Sequence, residues 1–270
     1  VVPAPALSRY DLYRCCVQDA PRMVRFLLAL HGGDARVLRE DFCGPATLSH
    51  QWALLSPDHA AVAVDRDEEP LTHAREAGRA VGVTDGQVAY RCVDVRSARD
   101  RADVVALFNF AICELHDRAT LVGYLRHLRR CLRPGGVVVL DIYGGARAFV
   151  PGRIRTTART DDGRTIHYQW QQVQGNPATG MVRNALHFRV GARSWARAFE
   201  YHWRLWSIPE LRDALAEAGL GCVEVHDRMG HAVDQRGRLH LRPLNLDAGR
   251  AGEGDVLDED YVAYLAARPG

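Results

Sequence analysis

Apolar residues recur at two different spacings along this chain, and the change from one to the other falls near residue 150. At the start, "YDLYRCCVQDAPRMVRFLLALHGG" places Val24, Phe26, Leu27, Leu28 and Leu30 in a helical rhythm, and Gly32–Gly33 stops it. Short apolar runs then alternate with amphipathic stretches. "ARVLRED" predicts a strand, "ATLSHQWALL" a helix, "AAVAVD" a strand, "EPLTHAREAGRAVG" a helix and "VAYRCVDV" a strand. "DVVALFNF", "RATLVGYLRHLRRCL" and "GGVVVLDIY" continue as strand, helix and strand, the last following a turn at "RPGG". Near-continuous Val, Ile and Leu strands separated by helices need a parallel sheet covered on both faces, so the predicted class is α/β and doubly wound.

Beyond Tyr143 the period becomes two. "TIHYQWQQVQ", "MVRNALHFRV" and "ARAFEYHWRLW", with "GNPATG" between the first two, predict an antiparallel meander of three or so strands. "SIPELRDALAEAGL" is the next helix, with Ser207 as N-cap and Pro209 in its first turn. "GCVEVHD" and "DEDYVAYLAA" are the last strands, and "DQRGRLHLRPLNLDAGRAGEGD" between them reads as a long mobile loop. The expected organisation is an N-terminal helical lid over 1–34, a core made of 35–150 and 206–270, and a β insertion over 151–205 that serves as a lid, a substrate surface or a dimer contact.

Composition removes several classes of function. The chain has 270 residues, 47% hydrophobic and 25% charged, with a net charge of +2. Its 35 basic residues are all Arg and are interspersed with acids, so no basic block calls for nucleic acid or a membrane surface. Seven cysteines without C-x-x-C spacing predict neither a metal site nor a disulfide frame, and fit a reducing cytoplasm. The longest apolar run, "ADVVALFNFAICEL", is too short for a bilayer, and the N-terminus lacks a signal peptide's basic start.

The candidate chemistry lies at the strand ends, where open α/β sheets bind their ligands. A pyrophosphate needs a glycine-rich turn so that its oxygens can reach bare N–H groups. "DFCGPATLS" has one glycine, Gly44, flanked by Phe42 and Ala46, which disfavours a dinucleotide. Asp65 ends "AVAVD" 21 positions after Gly44, with Arg66 beside it, and can accept both hydroxyls of a ribose. Asp94 ends "RCVDV" beside Val95 and can receive an adenine amino group. Glu40 and Asp41 can meet an ammonium. A ribose, an adenine and a charged amino acid without phosphate describe S-adenosylmethionine.

These residues resemble the class I S-adenosylmethionine-dependent methyltransferases. "LREDFCGPATLS" matches a variant of the family's glycine-rich first motif, "VAVDRD" the second strand and "CVDV" the third. "FNFAICEL" matches the fourth strand and "LRPGGVVVLDIYGG" the fifth, so the resemblance covers about residues 36–145, with "RLWSIPELRDALAEAGLGCVEVHD" as the later helix and strand. It implies a seven-stranded, mostly parallel Rossmann-like sheet and, from "EDFCG" with a β-rich insertion before "WRLW", a small-molecule enzyme. It also implies roles by position. Gly44 admits the methionine part of the cofactor, with Glu40 and Phe42 in the same turn. Asp65 holds the ribose, and Asp94 with Val95 the adenine. Asn109 and Phe110 border the methyl-transfer position, and Tyr10 and Tyr13 sit where a lid is often found.

Several readings stay open at this stage. Glu40 either pairs with Arg39 inside the sheet or touches the ligand. Phe199, Tyr201 and Trp203, and likewise Tyr168 and Trp170, form either a small core or an aromatic wall near a cationic centre. His116 or His202 can be a general base. Asn109, Glu114, His116 and Tyr143 are the catalytic candidates. The expected partner is a small molecule or short peptide, and the chain is a monomer or a homodimer. Cleavage or cyclisation of the same cofactor, or cofactor binding without turnover, are the rival functions.

Overall fold

Strands that are apolar at every position are stable only when helices cover both faces of their sheet. The computed structural model, which describes residues 7–84, 86–230, 239–246 and 254–270, has that arrangement. The chain opens with α1 (Arg9–Val17) and α2 (Ala20–His31), then β1 (Val37–Asp41), α3 (Thr47–Ala53), β2 (Ala60–Asp65), α4 (Glu68–Ala80) and β3 (Val88–Cys92). It continues with β4 (Ala102–Leu107), a 3₁₀ turn (Ala111–Glu114), α5 (Arg118–Cys131) and β5 (Leu132–Gly144). Four strands follow, β6 (Gly152–Arg159), β7 (Thr165–Asn176), β8 (Met181–Val190) and β9 (Arg193–Arg204). The last elements are α6 (Ile208–Glu217), β10 (Cys222–His226) and β11 (Tyr261–Arg268).

The seven-stranded sheet runs β10-β11-β5-β4-β1-β2-β3. Its strands from β1 to β5 pair in parallel, and β11 is antiparallel to both β5 and β10. The order reverses between β1 and β4, which makes the carboxyl edge beside them the switch point where ligands bind. The core is the apolar filling of this sheet: Leu38, Ala63, Val104, Ala106, Val137 and Val139 pack with Phe26, Leu27 and Trp52. "RPGG" is not a separate turn. It lies inside β5 as a bulge, where the pairing with β4 slips between Ala102 and Val104. β3 and β4 also end earlier than their sequence runs suggest, at Cys92 and Leu107, so Asp94, Asn109 and Phe110 stand just beyond the strands.

Contacts divide the chain into two units, Asp19–Ala148 with Leu205–Gly270, and Val1–Gln18 with Phe149–Arg204. The N-terminal segment accordingly holds two helices, α1 in one unit and α2 in the other. Gln18 is extended, Asp19 caps α2 by accepting from the Arg22 amide, and Pro21 sits in the first turn. In the second unit β6 to β9 form a four-stranded antiparallel sheet. Register places Tyr168, Trp170, Phe188, Phe199, Tyr201 and Trp203 on one face. Leu12 and Tyr13 of α1 are buried with Ile166, Leu186 and Phe188 there, and Tyr201 stacks on Trp203 at 4.3 Å. His202, opposite Arg183, falls on the other face.

The loop expected over 234–255 lies largely outside the described residues. Among the described residues no helix is long and apolar enough to cross a membrane.

Candidate functional site

Alternation along β1 decides which of its charged residues can face a ligand. Arg39 and Asp41 share one face and form a bidentate pair, Nε to Oδ1 at 2.6 Å and Nη2 to Oδ2 at 2.8 Å, with both side chains fully buried. Arg39 also donates to the carbonyls of Val95 and Ala98, each at 2.9 Å, and the Tyr124 hydroxyl donates to Asp41 at 2.6 Å. Asp41 is therefore a structural carboxylate, and its expected place beside the cofactor's ammonium is corrected: the side chain is consumed inside the fold. The buried partner of Arg39 is Asp41 and not Glu40. Glu40, on the opposite face, accepts from the Ser49 amide at 2.9 Å and the Ser49 hydroxyl at 2.6 Å, which ties the strand end to α3. Burial pushes its carboxyl up to about 7, against the pull of the Ser49 bonds.

The turn after β1 does with other residues what glycines usually do. Phe42, Gly44 and Ala46 have φ of 57°, 50° and 53°, three alternate positions in the left-handed region that favours glycine. The Gly44 amide donates to Asp65 at 2.8 Å, and the other Asp65 oxygen accepts from the Asp67 amide at 3.1 Å. A Cβ on Gly44 would meet nothing within 4 Å, so the turn leaves open space at that residue.

A cavity of about 270 Å³ opens along this edge. Its walls are Phe42 after β1, Arg66 after β2, Asp94, Val95 and Arg96 after β3, and Glu114 to Asp117 with Thr120 after β4. Four successive strand ends thus contribute to one space. Asp94 accepts from the Arg96 amide at 2.8 Å and from its guanidinium at 2.9 and 2.5 Å, which holds the carboxyl at about 2. A larger concavity of about 480 Å³ lies on the four-stranded sheet of the other unit, between Arg155, His167, His187 and Arg189. It has none of the strand-end acids, so the smaller space is the cofactor candidate.

Beyond β4, Asn109 and Phe110 are both left-handed, φ 60° and 62°, and their amides donate to Asp141 of β5 at 3.1 and 2.7 Å. Phe110 meets the Tyr143 ring edge-on with centroids 5.0 Å apart. His116 lines the cavity, and the preceding carbonyl of Leu115 accepts from the Trp206 indole at 3.0 Å. Of the expected site residues, Phe42, Arg66, Asp94, Val95 and His116 meet in the cavity, while Gly44 and Asp65 are joined beside it. Tyr13 is a core residue of the other unit, its ring 5.1 Å from that of Phe199. Sequence reasoning missed Ser49, Arg96, Tyr124 and Asp141. Only Asp141 carried a signal, as a lone acid inside "VVVLDIY". Among the described residues no group of three or more His, Cys, Asp or Glu is placed to hold a metal.

Residues 42–136 match the family described as "Methyltransferase domain". No curated protein matches the chain. Among solved structures, DesVI of Streptomyces venezuelae is 19% identical with a TM-score of 0.69, covering 98% of this chain and 100% of that one. SAM-bound CalS10, an amino pentose methyltransferase from Micromonospora echinaspora, is 18% identical with a TM-score of 0.64 over 99% and 100%. The sugar N-methyltransferase KedS8 from a Streptoalloteichus species is 21% identical with a TM-score of 0.61 over 100% and 97%. At such identities the likeness is one of fold, and the fold is that of the class I S-adenosylmethionine-dependent methyltransferases.

Proposed function

We propose that this chain, whose residues 42–136 carry a methyltransferase domain, uses S-adenosylmethionine to methylate a small molecule. The observation that carries the reading is the turn of alternating left-handed residues opening beside strand-end carboxylates. Such a site suits an adenosyl group and an amino acid, and offers no ring of glycine amides for a pyrophosphate. In this reading Asp65 holds the ribose hydroxyls, Asp94 and the Val95 backbone hold the adenine, and Gly44 admits the amino-acid part, with Glu40 supporting the turn from below. Arg66 and Phe42 close the space around the nucleoside.

The cofactor supplies a methyl group on a positively charged sulfur, which departs as a neutral thioether and needs no proton. The protein's task is then alignment of the acceptor atom with that methyl. Asn109, Phe110 and Tyr143 border the reaction position, and His116 is the base where an acceptor arrives protonated. Support for a small acceptor comes from the absence of any basic run for a nucleic acid and from the amino pentose and sugar substrates in the names of CalS10 and KedS8. The test is calorimetric titration with S-adenosylhomocysteine, followed by a screen of small amines, sugars and short peptides for its release. No binding at millimolar concentration sinks the cofactor assignment. Turnover to a different sulfur product replaces methyl transfer with another reaction of the same cofactor.

A further inference from the structure

A buried carboxylate without a cation is costly, and it persists only where hydrogen bonds hold its charge. Asp141 is a buried carboxyl held in this way, although burial still pushes it up to about 7 against the pull of its hydrogen bonds. It sits inside the apolar run of β5, is 5% exposed, and stands opposite Tyr264 of β11. Its two oxygens are taken by two consecutive backbone amides, those of Asn109 and Phe110. Its other ionisable neighbours are the Cys113 thiol and the Tyr264 hydroxyl, both pushed up by burial first and by this carboxylate second.

The backbone that Asp141 holds is unusual. Two successive residues with side chains, Asn109 and Phe110, are both left-handed. That conformation turns their amides to one side, forming a small concavity suited to an anion, and it is disfavoured for L-residues in the absence of such a partner. Phe110 then starts the 3₁₀ turn Ala111–Glu114, which leads directly to Leu115 and His116 at the cavity. The far end of the same segment is held by Trp206 through the Leu115 carbonyl.

We propose that Asp141 is a positioning residue for the transfer step: its carboxylate holds the left-handed pair Asn109–Phe110 and so fixes the segment that borders the reaction position. The inference deepens the function proposed above and rests on it. Asp141 is buried and is not among the residues that line the cavity. It acts through the backbone amides, and a small displacement of an aligned group is enough to cost about a hundredfold in rate.

Asp141→Asn tests this with little change in volume, because the new amide presents a donor to one of the two N–H groups. A folded variant is expected to bind S-adenosylhomocysteine within about threefold of the unmodified protein while kcat falls about a hundredfold, an effect on the transition state beyond uniform binding. Unchanged kcat, or a loss matched by lost affinity, overturns the proposal. In an Asn109→Gly/Phe110→Gly background both positions take the left-handed region freely, so adding Asp141→Asn there is expected to cost at most about threefold in kcat. A further hundredfold loss in that background overturns it, and this arm decides if the single variant does not fold. Amide hydrogen exchange reads the hold itself without turnover: exchange at Asn109 and Phe110 is expected to rise about tenfold or more in the folded variant, with β4 and β5 still protected. Unchanged exchange refutes the hold, whereas failure of the unmodified protein to bind S-adenosylhomocysteine refutes the cofactor reading instead.

Discussion

At the scale of single residues, the site depends on carboxylates in different states. Asp94 is kept well ionised by Arg96, whereas Glu40 is buried and pushed up to about 7. A raised carboxyl binds its proton more tightly in the folded chain than in the unfolded one. Glu40 therefore gives its full stabilisation below about 4.5, its ordinary value, and loses it as pH rises through about 7. Glu40→Gln, which can still accept from Ser49, removes that dependence. Its stability relative to the unmodified protein is expected to improve by roughly 1–3 kcal/mol between about pH 4.5 and about pH 8, measured by denaturant unfolding. A constant difference across that range would mean that Glu40 titrates normally. Asp65 is tested by binding. Asp65→Asn keeps an acceptor for the Gly44 amide but not the charge, and it should weaken S-adenosylhomocysteine binding by about 1–3 kcal/mol. Unchanged affinity would remove Asp65 from the ribose.

At the scale of elements, the turn between β1 and α3 explains what a single glycine is for. Phe42 and Ala46 hold the same left-handed backbone as Gly44 while carrying side chains. Conformation alone therefore does not require glycine at the middle position. What sets Gly44 apart is the open space a Cβ would enter and its amide on Asp65. Gly44→Ala is expected to lower stability by only about 1–2 kcal/mol, the usual cost of a left-handed L-residue. It is expected to weaken S-adenosylhomocysteine binding by at least about tenfold, since the methyl group would occupy the approach of the ligand. Equal losses in folding and binding would make the glycine a conformational one. Much of this was legible in the sequence, because alternating strands and helices fix which strand ends share an edge, and so bring Phe42, Arg66, Asp94 and His116 together. The period of two also contained the correction to Asp41. Neighbouring residues of a strand point to opposite faces, so Glu40 and Asp41 could not both face one ligand, and Arg39 is on Asp41's side. Ser49, Tyr124 and Arg96 were not legible, since their roles come from partners chosen in three dimensions.

At the scale of the whole molecule, the two units were legible as a change of hydrophobic period, but the membership of α1 was not. Its sequence signals a helix and cannot say which sheet the helix covers. The break before α2 was readable in Asp19 and Pro21, a cap followed by a first-turn proline. β6 escaped notice for a different reason: as an edge strand it is exposed along nearly its whole length and shows no apolar alternation. In the structure α1 belongs with the four-stranded sheet, and Leu12 is fully buried against Ile166, Leu186 and Phe188. The proposed cofactor residues from Glu40 to Phe110 all belong to the other unit. Leu12→Ala is therefore expected to destabilise the β unit by about 2–5 kcal/mol, the cost of a buried cavity. The same variant should bind S-adenosylhomocysteine within about twofold of the unmodified protein at a temperature where both are folded, because no proposed cofactor contact rests on that packing. A tenfold or larger loss of affinity would mean that α1 takes part in holding the cofactor, and would return Tyr13 to the lid role that its sequence position suggested.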